Sequence, residues 1–355
     1  MFGLGALRHL VCTGRVPRLG SLGLTGVAAL VAGAVGCRPD FLDDCGAILV
    51  GPGARVSCQV PGHVDRGFDL AVPAAWDGVT PLPLVIAYHG GGGNREGAQR
   101  VTCAGGELGG PGCLDTMATA RGYAVVSPDG TGGRPLRDVR TWNGGGGGPG
   151  AYCASGAACA QGIDDLGYTD DLLIEVGRAI PVDPRRVHAT GLSNGGAMAH
   201  RLGCERPQVI AAIAPVGGAN QHADGGGACG AMPVLHIHGT DDPCWPFAGG
   251  TGGCLEQEGR KTSVDETMAG WAARNGCAGP TSEQSLPDAD PGDGVTAFRR
   301  VRAGCAAATE DIVMVLGGHT WPSGWSYLGT DRIGRVTRDF GNEVILDFFD
   351  AHPRP

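Results

Sequence analysis

One stretch of this chain has the residue types and spacing of a nucleophile turn. Gly191-Leu192-Ser193-Asn194-Gly195-Gly196 fits G-x-S-x-G, with a strand pattern before it at 186–190 and a helix pattern after it at 194–202. In that setting the turn lifts the serine side chain above the end of a sheet, and glycines flank it because side chains there would meet the neighbouring strand and helix. A serine hydroxyl needs a base to become a nucleophile, and the base needs an orienting acid. His319 is the candidate base, because Gly317-Gly318-His319-Thr320-Trp321-Pro322 sets it in a short loop after a buried strand. Asp242 is the candidate acid, chosen over its neighbour Asp241 in His238-Gly239-Thr240-Asp241-Asp242, which ends the strand at 233–238. The other candidate histidines have worse settings. His188 lies inside a strand, His200 lies on the helix after Ser193, and His236 alternates with His238 on one strand face as packing or loop-supporting residues.

The negative oxygen formed when serine attacks a carbonyl must be met by fixed N–H donors. The Asn194 N–H, at the start of a helix, is one. The second is expected from the loop His89-Gly90-Gly91-Gly92-Gly93 after an early buried strand, with Gly91 favoured over Gly90 and His89 bracing the loop. This loop resembles the HGGG type of esterases and lipases, and the order Ser193, Asp242, His319 is that of the α/β-hydrolases. Trp142, Trp245 and Trp321 stand in loops near these residues and are candidates to line an acyl or sugar pocket. Other chemistries have weaker signals. No G-x-x-x-x-G-K-[ST] and no G-x-G-x-x-G follows a first strand, so a phosphate loop is disfavoured. Asp164-Asp165 reads as a helix cap before it reads as a metal site. The ester chemistry calls for no metal and no organic cofactor.

The elements that must position these residues follow from pattern. Continuous apolar runs at 83–88 and 123–126 mark buried parallel strands, and 68–72, 186–190, 209–215, 233–238, 297–302 and 311–316 complete the strands. Helices are expected at 114–121, 164–180, 194–202, 263–275 and 341–349. Strands alternating with helices mean an α/β domain with a mostly parallel central sheet covered on both faces. Residues 131–162 form a glycine-rich excursion too long for an ordinary connection. The 66 Gly and 24 Pro approach the range of low-complexity chains, but 42% hydrophobic and 18% charged residues exclude a disordered one. A net charge of −9 with scattered basic residues gives no footprint for nucleic acid.

The N-terminus reads as an export leader. Arg8, Arg15 and Arg18 precede an apolar stretch at 22–35, with no acidic residue before Asp40. Cleavage is expected after Gly36. The following Cys37 resembles the lipidated cysteine of a bacterial lipoprotein, with plain signal cleavage as the alternative. The expected organisation is a leader at 1–36, a Cys-containing segment at 37–65 that is irregular and stapled, and one catalytic domain at 66–355. Removing Cys12 with the leader and Cys37 as a lipid site leaves twelve of the 14 cysteines, which reads as disulfides in an exported protein. Near neighbours suggest Cys45–Cys58, Cys103–Cys113, Cys153–Cys159, Cys204–Cys229, Cys244–Cys254 and Cys277–Cys305.

Together the motifs resemble a known group, the exported esterases that join polyhydroxybutyrate depolymerases with feruloyl and acetylxylan esterases. The resemblance runs from about residue 68 to 349 and rests on LVIAYHGGGGN, GYAVVSPDG, Trp142-Asn143, IDDLGY, DPRRVHATGLSNGGAMAHRLGCE, AAIAPVGG, VLHIHGTDDP, SVDETMAGWAARNGC and GGHTWP. It implies the triad Ser193, Asp242 and His319 and the pairing of Cys277 with Cys305. Asn194 after the nucleophile resembles the feruloyl-esterase-like branch, since the polymer depolymerases of the group carry Ala there. The implied activity is hydrolysis of feruloyl or acetyl esters on plant wall polysaccharide by a secreted or surface-anchored enzyme. The alternatives are a polyester depolymerase, a serine peptidase and a non-catalytic surface lipoprotein.

Overall fold

The structure is a computed structural model that describes residues 50–132, 139–145, 156–221, 229–252 and 259–355. The leader, Cys37, Cys45, Cys153, Cys254 and most of the glycine run at 144–148 lie outside the described residues. In chain order the elements are β1 (Arg55–Gln59), β2 (Gly67–Ala71), β3 (Leu82–Tyr88), α1 (Arg95–Val101), α2 (Leu114–Ala120), β4 (Ala124–Pro128), α3 (Ala157–Ala160) and α4 (Asp165–Ala179). They continue with β5 (Val182–Leu192), α5 (Asn194–Glu205), β6 (Ala212–Val216), β7 (Val234–Gly239), α6 (Val264–Arg274), β8 (Thr281–Ser285), β9 (Thr296–Arg302), β10 (Thr309–Val315), α7 (Thr330–Ile333) and α8 (Asn342–Ala351).

The ten strands form one sheet in the order β1-β2-β4-β3-β5-β6-β7-β10-β9-β8. The strands from β4 to β10 in that order run parallel, and antiparallel pairs close both edges, β1 with β2 and β9 with β8. The parallel strands are the apolar runs of the sequence. β3 and β4 are buried along their whole length, as strands covered on both faces must be. Alternation sorts β3 between two cores. Leu84, Ile86 and Tyr88 pack on one face with Leu172 of α4, Met198 of α5 and Trp271 of α6. Val85 and Ala87 pack on the other with Ala118 of α2 and Phe349 of α8.

Two corrections follow. Residues 55–59 are the edge strand β1, paired from Arg55↔Ala71 to Gln59↔Gly67, so the segment at 37–65 is not irregular throughout. Strand β8 and helix α1 also escape the sequence pattern. β8 reads TSEQS and is exposed at every residue, so no apolar alternation marks it. Of the sulfurs, Cys103–Cys113, Cys204–Cys229 and Cys277–Cys305 are bonded as the spacing suggests. Cys58, Cys159 and Cys244 are disulfide-bonded as well, and their suggested partners Cys45, Cys153 and Cys254 lie outside the described residues.

Candidate active site

Each candidate residue follows the C-terminal end of a parallel strand: His89 after β3, Ser193 after β5, Asp242 after β7 and His319 after β10. That edge is where open α/β sheets bind ligands, because the loops there diverge to opposite faces. Ser193 caps α5 at φ 60° and ψ −121°, a backbone conformation that costs a non-glycine residue about 1–3 kcal/mol. Its N–H donates to Val216 O (2.8 Å) and its carbonyl accepts from Ala197 N (3.0 Å), so both neighbouring elements hold the strained turn. The backbone packing below it is close. A Cβ on Gly195 would stand 2.6 Å from His89 O and against Tyr88 O. Gly195→Ala is therefore expected to lower the stability measured by chemical denaturation by about 1–3 kcal/mol. An unchanged midpoint would contradict this packing.

His319 Nδ1 donates to Asp242 Oδ2 at 2.7 Å, and both side chains are buried. The other carboxylate oxygen, Oδ1, accepts from the N–H groups of Cys244 (2.8 Å) and Trp245 (2.7 Å). Asp241, the rejected neighbour, is exposed. Burial alone would raise the Asp242 carboxyl. The charge of His319 and the hydrogen bonds from His238 and His319 outweigh it and hold the carboxyl well below the usual range.

Behind Asp242 runs a string of three buried histidines. Trp271 Nε1 donates to His200 Nδ1 (3.0 Å), and an indole N–H can only donate. A neutral His200 must then donate from Nε2 to His236 Nδ1 (3.2 Å). His236 in turn donates from Nε2 to His238 Nδ1 (3.0 Å). His238 Nε2–H is shared between Trp245 O (2.8 Å) and Asp242 Oδ2 (3.2 Å). Every N–H in the string thus points toward the carboxylate. Burial lowers His200 to about 3 and His236 well below its ordinary value, which keeps both neutral. The sequence showed that His236 and His238 share a strand face. It could not show that His200 on α5 and Trp271 on α6 continue the string.

The glycine loop closes the other side. A Cβ on Gly90 would lie 3.6 Å from Ser193 Cβ, so the loop passes beside the serine. His89 Nε2 accepts from Gly130 N (2.9 Å) and its Nδ1 donates to Gly90 O (2.8 Å), which is the bracing expected of it. Gly92 N donates to Arg140 O (2.8 Å) and Gly93 N to Gly90 O (3.0 Å). Gly91 N–H has no partner among the described residues, and Gly91 lines the cavity described next.

A cavity of about 550 Å³ opens over this edge, lined by Gly91, Ser193, Trp245, His319, Trp325 and Tyr327 among others. This corrects two expectations. Trp142 does not line it. It is buried behind the loop, where its Nε1 donates to His89 O (3.1 Å) and its backbone exchanges hydrogen bonds with the Asn194 side chain (2.6 and 2.9 Å). Trp321 is buried in the core and donates to Asn342 Oδ1 (2.8 Å). Both indole N–H groups found protein partners. Trp325 and Tyr327, a few residues past His319, take the lining role instead and were missed. Asp164 caps α4 by accepting from Gly167 N (2.8 Å), whereas Asp165 is buried against Arg66 (2.6 Å). Asp242, Cys244 and His319 lie close enough to suggest a metal site, but Cys244 is disulfide-bonded and offers no thiolate.

No known family profile matches the chain. NocK of Nocardia uniformis subsp. tsuyamanensis, named as an esterase, is 28% identical over 279 residues, covering 75% of this chain and 73% of its own length. Feruloyl esterase B of Piromyces equi is 30% identical over 155 residues, 41% of this chain and 27% of that much longer protein. Among solved structures, the acetyl xylan esterase from Aspergillus awamori superposes with a TM-score of 0.52 at 13% identity, covering 84% of this chain and 99% of that one. The fold is that of the α/β-hydrolases, and the chain's relatives are carboxylic ester hydrolases.

Proposed function

We propose that this chain is a serine carboxylic-ester hydrolase in which Ser193 is the nucleophile, His319 the general base and Asp242 its orienting acid. The observation that carries the reading is the 2.7 Å pair of Asp242 and His319, with His319 lining the same cavity as a serine held at φ 60°. With Nδ1–H given to Asp242, the His319 Nε2 is the basic nitrogen. It takes the proton of Ser193 Oγ as that oxygen attacks the ester carbonyl. The N–H groups of Gly91 and Asn194 meet the oxyanion, reinforced by the N-terminus of α5. His319 then protonates the departing alcohol, and water enters through the same base to release the acid.

The substrates proposed are feruloyl or acetyl esters on xylan-type polysaccharide. The names of the relatives support this, as does a cavity in the size range of small-molecule sites, about 300–1,000 Å³. Export is supported by the half-cystines, which persist in oxidising compartments. The proposed organisation remains a leader at 1–36 followed by a catalytic domain at 66–355 that also recruits β1 to its sheet.

A kinetic panel of methyl ferulate, acetylated xylan, short p-nitrophenyl esters and polyhydroxybutyrate tests the substrate class. Turnover of the first or second is expected. Cleavage of the polyester alone would transfer the chain to the depolymerases, and no cleavage of any member would overturn the reading.

A further inference from the structure

The cavity wall holds a cation that the mechanism does not use. Lys261 is 3% exposed and lines the cavity together with Ser193 and His319. Its backbone is fixed by a two-way bridge with Gly250 (2.8 and 2.9 Å). Its ammonium stands 5.6 Å from the Trp245 ring centroid. Among the described residues no carboxylate lies within ion-pair distance of it. Beside it, Trp245 is 1% exposed, and its indole N–H is buried with no hydrogen-bond partner among the described residues. Trp245 is itself immobilised, since its N–H and carbonyl are bound to Asp242 and His238. Burial works against the charge of the ammonium, which the Asp242 carboxylate favours from beyond ion-pair distance. The buried indole N–H has given up water for no acceptor among the described residues. Two such donors, on residues that line one cavity, form a ready binding site for an anion.

We propose that Lys261 and Trp245 form a carboxylate-binding subsite, so that the preferred esters carry a carboxylate near the scissile bond. This rests on the esterase reading above and names the substrate class within it. The carboxylate has two sources, an acyl group that is the half-ester of a dicarboxylic acid or an alcohol part that is a uronic acid. The Lys261 ammonium supplies the charge, and the Trp245 N–H supplies a directed donor.

The test compares matched ester pairs on the whole protein. Mono-p-nitrophenyl succinate against p-nitrophenyl valerate probes the acyl side. Acetylated methyl glucuronoside against acetylated methyl glucoside probes the alcohol side. The wild-type protein is expected to favour the anionic member of one pair, and that pair names the source. Lys261→Met should lower the anionic-to-neutral ratio of kcat/KM by about tenfold or more, mainly through KM, and Lys261→Arg should restore part of it. Succinate should inhibit hydrolysis of the neutral ester competitively in the wild-type protein, a readout that survives if a variant fails to fold. No preference in either pair, together with no inhibition by succinate, would overturn the subsite. Absence of turnover on the neutral esters as well would instead overturn the esterase reading.

Discussion

Asp242→Asn is expected to lower kcat by about four orders of magnitude while leaving the secondary structure intact. The reason is that all four partners of this carboxylate among the described residues are donors: the N–H groups of Cys244 and Trp245 at one oxygen, His319 and His238 at the other. An asparagine must turn its NH₂ toward one pair. The backbone pair cannot change, so the amide faces the histidines. His319 then has to accept at Nδ1 and carry its proton on Nε2, where it cannot take one from Ser193. His238 cannot adjust in the same way, because its string of histidines is fixed at the far end by the Trp271 N–H. A donor therefore meets a donor at His238, and the variant should also lose about 1–3 kcal/mol of stability. Single-turnover kinetics with a p-nitrophenyl ester, alongside denaturation, checks both parts. A variant with near wild-type kcat would remove Asp242 from its role. A slow variant of unchanged stability would remove the fixed string.

The second large effect is on acid stability. Burial lowers His89 to about 4, His188 and His200 to about 3, and His236 well below its ordinary value. In the unfolded chain each titrates near 6.5. Below that pH the unfolded state takes up protons that the folded state refuses. The stability from keeping these rings neutral is complete above about pH 6.5 and is lost as pH falls toward the folded values. At pH 5 each of the three rings at about 3 to 4 costs about 2 kcal/mol, and His236 adds to the loss in the same direction. The three alone amount to about 6 kcal/mol, within the range of the whole stability of an ordinary domain, about 5–15 kcal/mol. Denaturation midpoints should therefore fall steeply from pH 7 to pH 5. His188 isolates one share of this, because it stacks on Phe349 at 4.6 Å and neither ring nitrogen has a partner among the described residues. His188→Phe should keep the stack and reduce the proton uptake on unfolding by about one. Midpoints that do not change with pH in this range would contradict the neutral assignment.

The parts of the fold legible in the sequence are those where burial is two-sided. Residues 83–88 and 123–126 are apolar without interruption, and they became β3 and β4 within a residue or two. The polar edges were not legible, because β1 and β8 gain their strand identity from a partner and carry no pattern of their own. At the site, the turn at Ser193 and the loops of Asp242 and His319 could be read because each closes a recognisable strand. The tryptophans could not be sorted. A loop indole looks the same in sequence whether it faces a ligand or donates to a carbonyl, and Trp142 and Trp321 do the latter. Lys261 left no sequence signal either, since its burial depends on the packing around Trp245 and on the bridge to Gly250.

The central claim is that Ser193 is a nucleophile activated by His319. Mass spectrometry of the protein after exposure to a fluorophosphonate tests it most directly, since the reagent forms a stable adduct only with an activated serine. The account predicts one adduct on the peptide containing Ser193, absent in Ser193→Ala and slowed at least about a hundredfold in His319→Ala. A folded wild-type protein left unmodified, or modified equally well without His319, would contradict it.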